Sequence, residues 1–440
     1  MRIGVQGCCH GILDNLYSLA SKHNVELLII GGDFQAIRNL SDFHSISVPA
    51  KFKRLGDFHK YYSQEKIAPI LTIFVGGNHE ASNYLEELPY GGWIAPNIYY
   101  MGRSSVIRVG NLRIGGISGI YSEFDYRKGR YERLPYEYKM LKSVYHTREF
   151  DVLSLKSLRS PIDIFLSHDW PRGIEQHGDT AKLLKNKPFF RKEVEQNDLG
   201  SPALEEILNS IKPKYWFAAH LHTRFAATVH HKAVPPSVYN DVSELEESRS
   251  SEEQHEIPKK ARTEANPEFD PEHLKETNDC DDDASLVPST STTQFLALDK
   301  CLPRRSYFEV VEIEPTEPFQ EGDLYMKYDP EWLSIVRAMK PFQSSLVKQT
   351  PLPPVDELHN LIDKERKWVE DNIVQKNKLG ILRNFAPTAP FQSRGITDRI
   401  IPATYVNPQT TSFLQLVGLQ PEGNEPLLSS SIKNENEIEL

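Results

Sequence analysis

Hydrophobic and polar positions come in alternating blocks along the first half of the chain. Short apolar runs (Ile3 to Val5, Val25 to Ile30, Ile70 to Val75, Ile162 to Leu166, Tyr215 to Phe217) are each cut off by glycine or a polar cluster. Runs of this length, β-branched or aromatic and bounded by turn residues, predict buried strands. Between them lie helix-like stretches such as Ile12 to Lys22 and Ala203 to Ile211. Strands alternating with helices predict an α/β domain over residues 1–235.

Beyond it the pattern changes. Residues 236–290 are rich in Ser, Glu, Asp and Pro with few aromatics. Such a segment cannot offset its ordering entropy and is expected to be a disordered acidic linker. Apolar patterning resumes over residues 291–418, with Phe295 to Leu298, an alternating strand over Tyr307 to Ile313 and a charged helix over Glu357 to Lys378. A smaller α+β C-terminal domain is expected there, followed by a flexible tail over 419–440.

Charge distribution changes the meaning of the total. The chain of 440 residues carries a net −10, but residues 241–290 hold 16 Asp/Glu against 5 Lys/Arg, so the remainder sums to +1. Nothing in the bulk charge argues against an anionic substrate. The four cysteines, Cys8, Cys9, Cys280 and Cys301, show no disulfide framework, which suits a reducing compartment. The N-terminus lacks a secretory pattern, and no apolar run reaches membrane-spanning length. The expectation is a soluble intracellular protein with no membrane partner.

The chemistry sits where the apolar runs stop. The five endings read Gly7-Cys8-Cys9-His10-Gly11, Gly31-Gly32-Asp33, Gly76-Gly77-Asn78-His79-Glu80, Ser167-His168-Asp169 and Ala219-His220-Leu221-His222. Open α/β sheets place their sites at the carboxyl ends of strands. Phosphoester hydrolysis by two divalent cations needs a bridging carboxylate and neutral ligands completing each shell. Asp33 suits the bridge, Cys8 and His10 have the spacing to turn toward one ion, His220 and His222 to send one imidazole to each, and Asn78 and His168 add an amide oxygen and an imidazole. Singly, each motif reads as well as a turn or a chance pair. Together, five in order are hard to explain by chance.

In that order the motifs resemble the calcineurin-like metallophosphoesterase superfamily. Within it, the chain resembles the RNA lariat debranching family in its Gly7–Gly11 cluster and the blocks 74–96, 114–121, 143–149, 165–171, 295–310 and 328–333. The resemblance implies a sandwich of two mixed β-sheets flanked by helices. It implies metal-dependent hydrolysis of the 2′–5′ phosphodiester branch of excised intron RNA, linearising the lariat. One metal would take Cys8, His10, Asp33 and His222, and a second Asp33, Asn78, His168 and His220. His79 would be the catalytic imidazole, since its proton moves near neutral pH. Most superfamily members have Asp where this chain has Cys8; the softer thiolate favours Zn2+ or Fe2+, with Mn2+ also expected, up to two ions per chain. Ala36 stands where many relatives carry an acidic residue near the bridging Asp, which leaves the surroundings of Asp33 open.

Residues 121–150 hold six tyrosines, seven Lys/Arg and five Asp/Glu between two predicted strands. Such a stretch is either a solvated insert or a surface for unpaired RNA bases. By resemblance it is the lariat recognition loop, spanning 118–150, with Tyr145, His146 and Arg148 as candidate contacts. Tyr84, Tyr90 and Trp93 read mostly as core or cleft wall, and Trp170 as packing rather than a base contact. Lys259-Lys260-Ala261-Arg262 reads as a nuclear import signal or as ordinary linker charge. The compartment expected is the nucleus, then the cytoplasm, and the partners are branched intron RNA and splicing or intron-turnover proteins. Two other readings stay open: a small-molecule phosphoesterase of the same fold, and a non-catalytic RNA-processing scaffold.

Overall fold

The five apolar runs form parallel strands in two stacked sheets. The computed structural model describes residues 1–232, 291–314 and 325–420. One sheet has the order β12-β1-β2-β3-β5-β4, from Phe308–Glu312, Arg2–Gln6, Leu27–Ile30, Leu71–Phe74, Ile98–Tyr100 and Gly92–Ala95. The other has the order β10-β11-β9-β8-β7-β6-β13, from Phe225–His230, Thr292–Ala297, Tyr215–Ala218, Ile164–Ser167, Leu112–Ile117, Ser104–Val109 and Met326–Tyr328. β1, β2, β3 and β5 run parallel, as do β7, β8, β9 and β11, and both sheets end in antiparallel strands.

Alternation along the strands decides which face meets which layer. Ile3, Val5, Leu27, Ile29, Leu71 and Ile73 face inward against Ile114, Ile164, Leu166 and Phe217 of the second sheet. Leu28, Ile30 and Phe74 face outward onto Leu16, Tyr17 and Ala20 of the helix Asp14–Lys22. The outer face of the second sheet, with Phe165, Trp216 and Phe295, is covered by helices Glu149–Lys156, Pro202–Ile211, Pro330–Met339 and Val355–Val369. Strands buried on both faces read as continuous apolar runs, which is why the sequence showed them plainly.

The residues after the acidic segment complete both sheets. β11 inserts between β10 and β9, β12 pairs with β1, and β13 pairs with β6. The described residues from Ser291 on thus share one compact unit with Met1–His231. The predicted charged helix is α-helical over Val355–Val369 and continues as a π turn over Glu370–Val374. The expected acidic linker, its basic island 259–262 and the tail from 421 lie outside the described residues.

Residues 384–392 strap the segment that follows β2. Asn39 Nδ2 donates to the Pro390 carbonyl (2.8 Å), Leu40 N to Gln392 Oε1 (2.8 Å), and Tyr62 Oη to the Ala389 carbonyl (2.9 Å). At the centre Arg38, fully buried, meets Asp42 Oδ1 at 3.0 Å, Glu87 Oε1 at 2.6 Å and Thr388 Oγ1 at 3.1 Å. Removing a buried guanidinium strands two carboxylates, each costly without its partner. Arg38→Met should lower unfolding free energy by about 3–5 kcal/mol in urea titration; a loss under about 1 kcal/mol would show that the strap does not depend on the charge.

Candidate metal centre

Each predicted ligand stands just past the end of a parallel strand, and local backbone turns it inward. His10, Asp33, His220 and His222 all have positive φ (52°, 47°, 57° and 50°), as does Gln35 (60°). Left-handed backbone is unfavourable for residues with a Cβ and persists only where the surroundings enforce it, often at functional sites. The loops after β1 and β2 continue to pair beyond their strands, with Cys9 N, His10 N and Gly11 N donating to the carbonyls of Gly32, Asp33 and Phe34.

Two glycines clear the space. A Cβ on Gly32 would lie 2.3 Å from His168 Nδ1, and one on Gly77 would lie 2.3 Å from Asp33 Oδ1. Glu80 fixes the loops from below: its buried carboxylate accepts from the N–H groups of Phe34 (2.7 Å), Gln35 (2.8 Å) and Gly77 (3.0 Å). Burial and the Asp33 charge push Glu80 up to about 8, against the pull of those three donors. With Ala36 unable to brace Asp33, this brace comes from Glu80, a residue the sequence analysis passed over although it closes the Gly-Asn-His-Glu cluster.

The donor atoms converge. Ligand atoms of Cys8, His10, Asp33 and His222 all lie within 4.8 Å of one another. On the other side of Asp33, His168 Nε2 lies 3.4 Å from Asp33 Oδ1 and 3.2 Å from Asn78 Oδ1, and the His220 ring lies 5.0 Å from that of His168 between centroids. His168 Nδ1 donates to the Gly31 carbonyl (2.7 Å), and burial lowers its pKa to about 4. At neutral pH its Nε2 therefore carries a lone pair, aimed at two further acceptor oxygens.

That arrangement calls for cations. Asp33 is 1% exposed, and its Oδ2 makes no hydrogen bond of normal geometry. Burial opposes its ionisation, but positive charge on His168, His10 and His79, with the His79 N–H bond, outweighs burial and holds the carboxyl well below the usual carboxylate range; once those rings are neutral, bound cations would have to supply that charge. Burial and the adjacent Asp33 push the Cys8 thiol well above its ordinary pKa, a preference that a coordinated metal would reverse. Burial, then the charge of Lys300, lowers His222 to about 3, leaving it neutral as a ligand must be. Soft sulfur, imidazole and carboxylate together suit Zn or Fe better than Mg.

The remaining predicted residues separate. His79 is at the site: its N–H donates to Asp33 Oδ1 (2.9 Å) and its Nδ1 to the Ser47 carbonyl (2.9 Å), while Nε2 lies 3.2 Å from Asn78 Nδ2. Tyr145 is half-buried and its hydroxyl bonds Ser47, on the same rim. His146 is turned to Asp125 Oδ2 at 2.7 Å. Arg148 is corrected: at 1% exposure it binds Glu132 Oε1 (2.6 Å) and the Ser143 carbonyl (3.1 Å), bracing the loop from inside. Exposed aromatics in that loop are instead Phe124 and Tyr138, 86% and 75% exposed. Trp170, fully buried and donating to the Ala219 carbonyl, is packing as expected. The loop is tied at its base, where Gly119 N donates to the Gly76 carbonyl, and at its middle, where Gly129 N and Arg130 N donate to the carbonyls of Val347 and Ser344.

Residues 1–224 match the calcineurin-like phosphoesterase family, and residues 290–422 match the C-terminal domain family of lariat debranching enzymes. The chain is 60% identical to a lariat debranching enzyme of Schizosaccharomyces pombe, over the full length of both. It is 43% identical to lariat debranching enzyme A of Xenopus laevis (95% of this chain, 70% of that one) and 41% identical to the lariat debranching enzyme of Homo sapiens (95% and 69%).

Gly77→Ala tests the packing of the site, because a methyl there collides with Asp33. The variant should fold with unchanged far-ultraviolet circular dichroism yet retain less than half the parent's metal by elemental analysis; full metal content would contradict the geometry.

Proposed function

The chain belongs to the lariat debranching enzyme family, and we propose that it hydrolyses the 2′–5′ phosphodiester at the branch of excised intron RNA with Cys8, His10, Asp33 and His222 holding one divalent ion and Asp33, Asn78, His168 and His220 a second. The observation that carries the site is the convergence of neutral nitrogens, a thiol and an amide oxygen on one buried, under-bonded carboxylate. Divalent ions bound there would neutralise charge on the phosphoryl oxygens and lower the pKa of a water molecule.

The chain's own groups orient and protonate. His79 Nδ1–H donates a hydrogen bond to the Ser47 carbonyl, which leaves Nε2 as the working atom: in the imidazolium form its Nε2–H would pass a proton to the departing 2′-oxygen and leave the neutral ring. Ser47 also meets Tyr145, so the recognition loop and the catalytic imidazole share one anchor. We assign the ions to Zn2+, Fe2+ or Mn2+ on the strength of the Cys8 thiol. The nucleus, with the cytoplasm as second compartment, follows from the substrate's origin in splicing, as does contact with splicing or intron-turnover proteins. Among the described residues no helix is long and apolar enough to cross a membrane.

A short 2′–5′ branched RNA should be cut with Fe2+, Zn2+ or Mn2+ present while its linear 3′–5′ isomer survives, and Asn78→Ala should abolish the cut. His79→Ala should slow it by about 10²–10⁴-fold. Equal cleavage of branch and linear isomer, read by gel electrophoresis, would overturn the assignment of specificity.

A further inference from the structure

A branched RNA brings three strands to one nucleotide, so a single recognition loop on one side of the cleft leaves other strands unaccounted for. On the side of His10 and His222 lies a second candidate surface. The loop Leu298–Ser306 is fastened to the first ligand loop: Cys301 N donates to the Cys8 carbonyl (3.0 Å) and Gly7 N to the Tyr307 carbonyl (2.9 Å). A Cβ on Gly7 would strike the Asp299 carbonyl at 2.1 Å, so the two loops touch along their backbones. Within this loop Asp299 is committed to its own neighbours, accepting from Lys300 N (2.7 Å) and Arg305 Nη1 (3.2 Å). The Lys300 ammonium pairs with no carboxylate among the described residues, and its charge is felt by both His10 and His222.

The surface continues into the segment 182–192, where Lys182, Lys185, Lys187, Arg191 and Lys192 occur without an intervening Asp or Glu. Lys187 joins the two parts. Its segment shares a buried cluster with Phe225, three residues past His222, through Leu183 and Phe190, and Gly178 bridges Ala227 on the same strand; burial, then Asp299 against it, then Arg305 and Lys300 act on the ammonium. Its Nζ stands 5.7 Å from the centroid of the Phe189 ring. Phe189 is 68% exposed and packs edge-on against the buried Phe190 (4.7 Å), so it is an aromatic face held in place yet open to solvent. Crowded cations invite a polyanion, and an exposed ring beside them offers a base a stacking partner; that pairing marks single-stranded nucleic-acid tracks. A lone exposed phenylalanine is ordinary on a surface; what singles out Phe189 is its place beside the Lys187 ammonium.

We infer that Lys300, Lys187 and Phe189 form a track for one single-stranded arm of the branched RNA, leaving the metal centre past His10 and His222. The inference rests on the debranching reading given above. Lys300 and Lys187 would meet backbone phosphates, and Phe189 would stack on a base a few nucleotides from the branch.

The test uses the full-length enzyme and a set of branched RNAs in which each arm in turn is cut back to one nucleotide. The parent protein should bind the untrimmed RNA at least about tenfold more tightly than the RNA lacking the tracked arm, as one stacked base and two phosphate contacts would give. In Lys187→Ala/Phe189→Ala that preference should collapse to within about twofold, and the salt dependence of binding should weaken by about 0.7 in log–log slope for the lost cation. Phe189→Tyr keeps the ring and should keep the preference. If the double variant retains the parent's dependence on every arm, the track does not exist. Failure of the parent to cut the branch at all would instead overturn the debranching reading, so the two failures are distinguishable in one experiment.

Discussion

One buried carboxylate with an under-bonded oxygen organises this molecule. Asp33 lies between two groups of donor atoms, fully shielded from water, and its Oδ2 lacks a hydrogen bond of normal geometry. A carboxylate so placed costs several kcal/mol unless cations meet it. Much of the surrounding architecture serves to keep it there. Parallel strands from both sheets deliver ligands to one edge, left-handed residues turn them inward, Gly32 and Gly77 give room, and Glu80 ties three backbone N–H groups beneath the loops.

The C-terminal residues take part in this rather than sitting beside it. β11 and β12 complete the two sheets, the loop Leu298–Ser306 braces the Cys8 turn, and the strap at 384–392 holds the segment leading to Ser47. Ser47 in turn orients His79. A change in the strap can therefore reach the His79 imidazole through Arg38 and the Asn39 turn without touching Cys8, His10, Asp33 or His222. The loop 118–150 is fastened to the same framework through Gly76 and through Ser344 and Val347.

The strand ends were legible because strands buried on both faces must be continuously apolar, and the polar residues that halt them stand out by contrast. Cys8, His10, Asp33, Asn78, His168, His220 and His222 were all found this way, and the structure brings them together. The partners of the late strands were not legible. Alternation over Tyr307 to Ile313 shows a strand, but not that it would pair antiparallel with β1 from the other end of the chain. Arg148 was misplaced because composition cannot tell an arginine facing RNA from one facing Glu132, sixteen residues earlier. Glu80 was not legible for the opposite reason: it lies inside the block 74–96, and its three backbone partners come together only where neighbouring loops touch.

The most direct test of the central claim is a calorimetric titration of metal-free protein with Zn2+ or Mn2+. If Asp33 bridges two ions, the parent should take up two per chain, Cys8→Ser should lose or weaken one, and Asp33→Asn should weaken both. Two intact sites in Asp33→Asn, or a single site in the parent, would contradict the account.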